Sequence, residues 1–142
     1  MIPIIPKHLK TVPTLIKLSR MSEDELANIQ DFSIYNENAR VTFPGKTDIR
    51  GMNLGEMIVL GHRSVEVYPH SYHAEMPRAG KGLNKKAIIE FYNWAVPSKY
   101  ENQASEYVAK LKKKFNSLNA EYRKYDVSKQ SLVISVQNFS SM

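Results

Sequence analysis

The spacing of apolar residues changes twice along this chain, and those changes constrain the fold more than any other feature. Between residues 32 and 94 apolar and polar residues alternate in short runs: "FSIY", "RVTF", "IVLG", "SVEVYP" and "KKAIIEFYNW". Period two is the signature of a half-buried strand. From 101 to 124 the period lengthens. Ala104, Tyr107, Val108, Leu111, Phe115, Leu118 and Tyr122 recur at spacings of three and four, which predicts one amphipathic helix. In "SLVISVQ", from residue 131, the period returns to two. Many strands, one long helix and a final strand predict an α+β domain.

The segments between these runs carry their own signals. Pro3, Pro6 and Pro13 exclude helix and inner strand from the start of the chain. Residues 1–20 therefore read as extended chain laid over the domain by Ile4, Ile5, Leu9, Val12, Leu15 and Leu18, with the extended N-terminal arm itself at 1–14. Ser22 and Glu25 form an S-x-x-E capping box, predicting a short helix with Leu26 and Ile29 on its buried side. "NENA" joins the first two strands, a short turn follows near 54–57, and Gly61 turns the third strand into the fourth. Residues 69–82, "PHSYHAEMPRAGKG", read as a loop, and 126–130 as a polar turn.

A length of 142 residues suits one domain with its own core, spanning 1–142. No apolar run is long enough to cross a membrane, so no insertion is expected. The start lacks the order of a secretory signal. With no cysteine there is no disulfide, thiolate metal site or cysteine nucleophile, and a reducing compartment is expected. The net charge of +6 is concentrated in "KLKKKF", residues 110–115, which reads first as a solvated helix face. A basic RNA-binding module is the alternative, without the aromatic-glycine signature of an RNA-binding sheet.

Few residues suggest chemistry. "GKGLNKK", residues 80–86, has the lysines and glycines of a phosphate loop. However, it precedes a strand and lacks the Ser or Thr that would hold a metal. His70 and His73 lie three apart in a loop with no evident third ligand, so neither metal nor cofactor is expected. The final strand runs into Phe139-Ser140. A serine after a scissile bond can attack the preceding carbonyl, giving an ester that water hydrolyses. That requires a proton acceptor and stabilisation of the oxyanion.

Several segments, in order, resemble one family. "SRMSEDELANI", "NLGEMIVLGHRSVEVYP", "GKGLNKKAIIEF" followed by Trp94 and Pro97, "EYRKYD" and "LVISVQNFS" are similar to the C-terminal autoproteolytic domain, or peptidase S59 domain, of the GLFG nucleoporins. The resemblance runs over about residues 12–140, and "GLNKKA" and the last strand are its most specific parts. It implies an antiparallel β-sandwich around one large sheet with flanking helices. It also implies a domain that anchors an FG nucleoporin at the nuclear pore complex of the nuclear envelope, supporting transport of protein and mRNA. The chain has no Phe-Gly pair, so the anchor without its repeats is expected.

The family cuts itself between Phe and Ser of a His-Phe-Ser motif. Here the positions read Asn138, Phe139 and Ser140. A carboxamide has none of the basicity of imidazole, so the expectation is a vestigial site and an intact bond. A self-cleaving serine autoprotease is the alternative. The resemblance further implies two partners: a β-propeller nucleoporin of the cytoplasmic face and the N-terminal segment of a scaffold nucleoporin. Phe139 is the expected anchor in a pocket, and Arg78 and Lys81 of the 69–82 loop are the expected charged contacts.

Overall fold

The computed structural model describes residues 1–140. Eight strands and four short or medium helices alternate along them. Six strands form one sheet: β1 (Lys10–Val12), β2 (Ile29–Tyr35), β3 (Ala39–Thr47), β6 (Ala87–Phe91), β7 (Ala120–Asp126) and β8 (Ser131–Val136). Their order is β1-β2-β3-β6-β8-β7, and every neighbouring pair is antiparallel. Strands β4 (Ile58–Gly61) and β5 (Ser64–Val67) form a separate hairpin, a much smaller second sheet.

The alternation of side chains explains the core. Ile34 lies opposite Val41, Val41 opposite Ile89, Ile89 opposite Ile134, and Ile134 opposite Tyr122. The next row is Ala39, Phe91, Leu132 and Tyr125. Apart from the half-buried Tyr122, these residues are buried, and stacked rows of this kind are how a sheet earns its stability. The opposite registers bring Ser33, Thr42, Ile88 and Ser135 together, and Tyr35, Arg40, Glu90 and Val133. That face is mostly polar, with Arg40 bonded to Ser33 and Ser131 to Glu90. The hairpin is tied to the β2–β3 turn by Asn36 and Asn38, whose amides both donate to the Leu60 carbonyl.

The capping box forms as the sequence predicts: the Glu25 N–H donates to Ser22 Oγ and the Ser22 N–H to the Glu25 carboxylate. It opens α2 (Glu23–Leu26), whose Leu26 is buried. Ile29, expected on the same helix, instead begins β2.

Two other expectations need correction. The long helix, α4 (Ala104–Ser117), stops before residue 124. Asn119 takes a left-handed conformation at φ 58° just past the helix end, where Asn is tolerated. "EYRKYD" then runs as β7, with Tyr122 opposite Ile134 and Tyr125 opposite Leu132. The arm is also more structured than extended chain. Lys10–Val12 adds to the edge of β2, and Thr14 caps α1 (Leu15–Ser19). Leu9 and Leu18 are buried, but Ile4, Val12 and Leu15 are exposed. The arm is held by backbone bonds to Met52 and Leu54 instead, the latter in α3 (Leu54–Met57).

Candidate functional site

The segment after β8 ends in a polar clamp built by the loop that leads into β6. Asn84 is fully buried. Its Oδ1 accepts from the Phe139 N–H at 2.7 Å, and its Nδ2 donates to Ser140 Oγ at 2.6 Å and to the Pro77 carbonyl at 2.8 Å. One carboxamide thus holds the Phe139 backbone N–H and the Ser140 side chain, one on each side of the Phe139–Ser140 bond, and ties them to the 69–82 loop.

Each residue of "GLNKKA" except the exposed Lys86 has a local task. Gly82 sits at φ 56°, and a Cβ there would lie 2.6 Å from Tyr68 Oη and 3.0 Å from Pro77 Cγ. Both facts favour glycine. Leu83 is buried, and its N–H donates to Tyr68 Oη at 3.0 Å. Lys85 reaches across to donate to the Lys46 carbonyl at 2.7 Å, and its partial burial pushes the ammonium pKa down. Ala87 packs opposite Val136 in the sheet. Burial pushes the Tyr68 hydroxyl above its usual range, opposed in part by the Leu83 N–H.

Phe139 is buried, its ring centroid 6.5 Å from that of Phe43. It closes the floor of a cleft of about 380 Å³ whose walls include Val65, Val67, His73 and Met76. Asn138 folds back so that its Oδ1 accepts from the Ser140 N–H at 3.0 Å. The Ser140 hydroxyl therefore meets one carboxamide, and its N–H another. Neither group takes a proton as a general base does.

The expected contact residues are close by in the fold. Arg78 and Lys81 are exposed on the turn that carries Asn84: the Lys81 N–H donates to the Arg78 carbonyl, and the Asn84 N–H to the Lys81 carbonyl. His70 and His73 lie on one 3-10 turn, His70–Glu75. Among the described residues no three His, Asp or Glu side chains converge as metal ligands would, and no helix is long and apolar enough to cross a membrane. No spacing or motif chemistry in the sequence singles out Asn84. Its signal lay in "GLNKKA", a polar residue inside an otherwise basic and apolar stretch.

A large antiparallel sheet whose last strand feeds a Phe-Ser pair into a clamp defines a domain organised around its own final segment. Over residues 6–142 the chain matches the family described as Nucleoporin2, the Nup98-96 autopeptidase S59 family, and it belongs to that family. It is 28% identical to the nuclear pore complex protein Nup98-Nup96 of Dictyostelium discoideum, over 91% of this chain and 7% of that protein. The chain thus spans a small fraction of that relative's length. Its fold is similar to a chain of the yeast heterotrimeric Nup82-Nup159-Nup116 nucleoporin complex, with a TM-score of 0.79, 19% identity and coverage of 96% and 99% of the two chains. It is also similar to the Nup145N APD T994A mutant fused to Nup145C N from Chaetomium thermophilum, with a TM-score of 0.74, 23% identity and coverage of 93% and 94%. The chain is a nucleoporin domain of the nuclear pore complex.

Proposed function

We propose that this domain anchors its nucleoporin in the nuclear pore complex by docking to other nucleoporins, and that it holds its Phe139–Ser140 bond uncut. The observation that carries this reading is the Asn84 clamp. A cutting site needs the serine hydroxyl beside a base. Here it is held by a carboxamide, with Asn138 at the position where the family places histidine. The site grips a strand end more readily than it breaks one.

Two partners fit the family. A β-propeller nucleoporin would meet the exposed face around the 69–82 loop, with Arg78 and Lys81 as charged contacts. The N-terminal segment of a scaffold nucleoporin would compete for the cleft over Phe139. The yeast complex that shares this fold contains two further nucleoporins, and the Chaetomium protein is fused to a second nucleoporin segment. Both facts support partner chains of this kind.

The test is co-elution of the purified domain with a β-propeller nucleoporin and, separately, with a scaffold segment. Arg78→Glu with Lys81→Glu should slow association with the propeller, as loss of complementary charge does. A folded domain that binds neither partner would overturn the proposal.

A further inference from the structure

The end of the sheet remote from the Asn84 clamp carries a basic cleft that the docking reading does not use. Its volume is about 330 Å³, and its walls include Arg63, Lys99, Lys110, Lys114, Trp94 and Tyr100. The four cations come from three separate segments. Arg63 lies on the β4–β5 turn, Lys99 on the 3-10 turn Ser98–Tyr100, and Lys110 and Lys114 one helical turn apart on α4.

The cations sit in two pairs over two rings. Arg63 and Lys114 lie 4.6 and 5.8 Å from the Trp94 ring centre, and Lys99 and Lys110 each lie 5.4 Å from that of Tyr100. Aromatic faces hold cations in place without neutralising them. Arg63 is further fixed by donating to the Ala95 carbonyl at 3.0 Å. Trp94 Nε1–H donates to Tyr107 Oη at 2.8 Å, which ties these two rings of the floor together. Among the described residues none of the four cations lies within 4.0 Å of a carboxylate. Four like charges around one cleft repel one another, and that repulsion is relieved when an anion enters.

The arrangement also selects the kind of anion. RNA bound by such a surface would stack its bases on free aromatic faces. Trp94 and Tyr107 are only 3% and 6% exposed, and the Tyr100 ring is flanked by two lysines. Cations drawn from three separate segments can meet several carboxylates spaced along a chain. We infer that this cleft is a second docking site, which takes an acidic, Glu- or Asp-rich peptide segment of a protein partner. It lies about 20 Å from the Asn84 clamp, since the six residues of β8 separate them at roughly 3.3 Å each.

The chain's one tryptophan, Trp94, forms the floor and reports on occupancy. A fluorescein-labelled Glu-rich peptide is titrated into the 142-residue chain, with anisotropy and Trp94 emission followed together. A Gln-substituted peptide and a single-stranded RNA oligonucleotide serve as comparisons. The Glu-rich peptide should bind and perturb Trp94, and the Gln peptide should not. Lys110→Glu with Lys114→Glu should weaken binding on the order of tenfold or more. Lys112→Glu with Lys113→Glu makes the same change in net charge outside the cleft, and should stay within about twofold. Three results would each overturn the proposal: no binding of the Glu-rich peptide, equal losses in the two double variants, or tighter binding of the RNA through Lys110 and Lys114.

Discussion

The two ends of β8 treat polar groups in opposite ways. Past Val136, the Phe139 N–H, the Ser140 hydroxyl and the Pro77 carbonyl all meet one buried asparagine. Before Ser131, the Gln130 carbonyl accepts from the Trp94 N–H, and around that tryptophan four cations line a cleft with no carboxylate of the described chain beside them. Buried polar groups must be paired to be tolerated, so the first end is closed and serves the fold. Exposed charges are satisfied by water at little cost, so the second end is free to serve a partner. Substitutions of the buried groups at the closed end should therefore change stability, and those of the exposed cations at the open end should change binding.

The sharpest contrast comes from Phe139. Truncation to alanine removes a buried ring and leaves a cavity beside Phe43, and should cost about 3–5 kcal/mol. Lys110→Glu with Lys114→Glu should stay within about 0.5 kcal/mol, because both side chains are exposed. Urea denaturation of the two variants beside the parent checks this, and equal midpoints for Phe139→Ala and the parent would break the comparison.

Asn84→Ala comes next. It strips the partner from the buried Phe139 N–H and from the Pro77 carbonyl, and should cost about 1–3 kcal/mol for an orphaned group that water does not reach. Hydrogen exchange of the Phe139 amide should accelerate in the same variant. Unchanged exchange would show that the clamp does not hold the segment.

Two buried tyrosines give a subtler comparison. Burial raises the pKa of Tyr68 at the closed end and of Tyr125 at the other, where its hydroxyl donates to the Trp94 carbonyl. A tyrosine whose folded pKa is raised contributes stability that is fully present below its unfolded pKa. That contribution is lost as pH rises through the folded pKa. Stability should thus fall on the alkaline side of the usual tyrosine range, and Tyr68→Phe and Tyr125→Phe should each remove part of that fall. Each should also cost about 1 kcal/mol at neutral pH for its lost hydrogen bond. A pH series of denaturation midpoints tests both statements. The smallest effect belongs to Ser140→Ala, which gives up one bond at an exposed residue and should shift stability by less than about 0.5 kcal/mol.

How much of this was legible in the sequence depended on how local each signal is. Strands β2 to β6 and β8 could be read because apolar alternation is written within each run. β7 was hidden because Leu118 and Tyr122 happen to continue the stripe of α4. The turn that separates helix from strand rests on the single residue Asn119. β1 was hidden because three residues with only Thr11 buried carry too little pattern among prolines. The Asn138-Phe139-Ser140 triplet was visible through family resemblance, but its partner was not. Asn84 lies 55 residues from Phe139 in sequence, and nothing in spacing announces a contact of that range. The basic cleft was invisible for the same reason. The lysine run was plain, but it takes the fold to show that Lys110 and Lys114 face Arg63 and Lys99 while Lys112 lies over Tyr122.

The central claim is that the clamp holds the Phe139–Ser140 bond and does not cut it. The most direct measurement is the intact mass of the freshly purified chain, followed over days at neutral pH with protease inhibitors present. The account predicts one species of 16.3 kDa that retains Ser140, Ser141 and Met142, and the same result for Ser140→Ala. A dominant parent species lacking those three residues, with the Ser140→Ala chain intact, would contradict it.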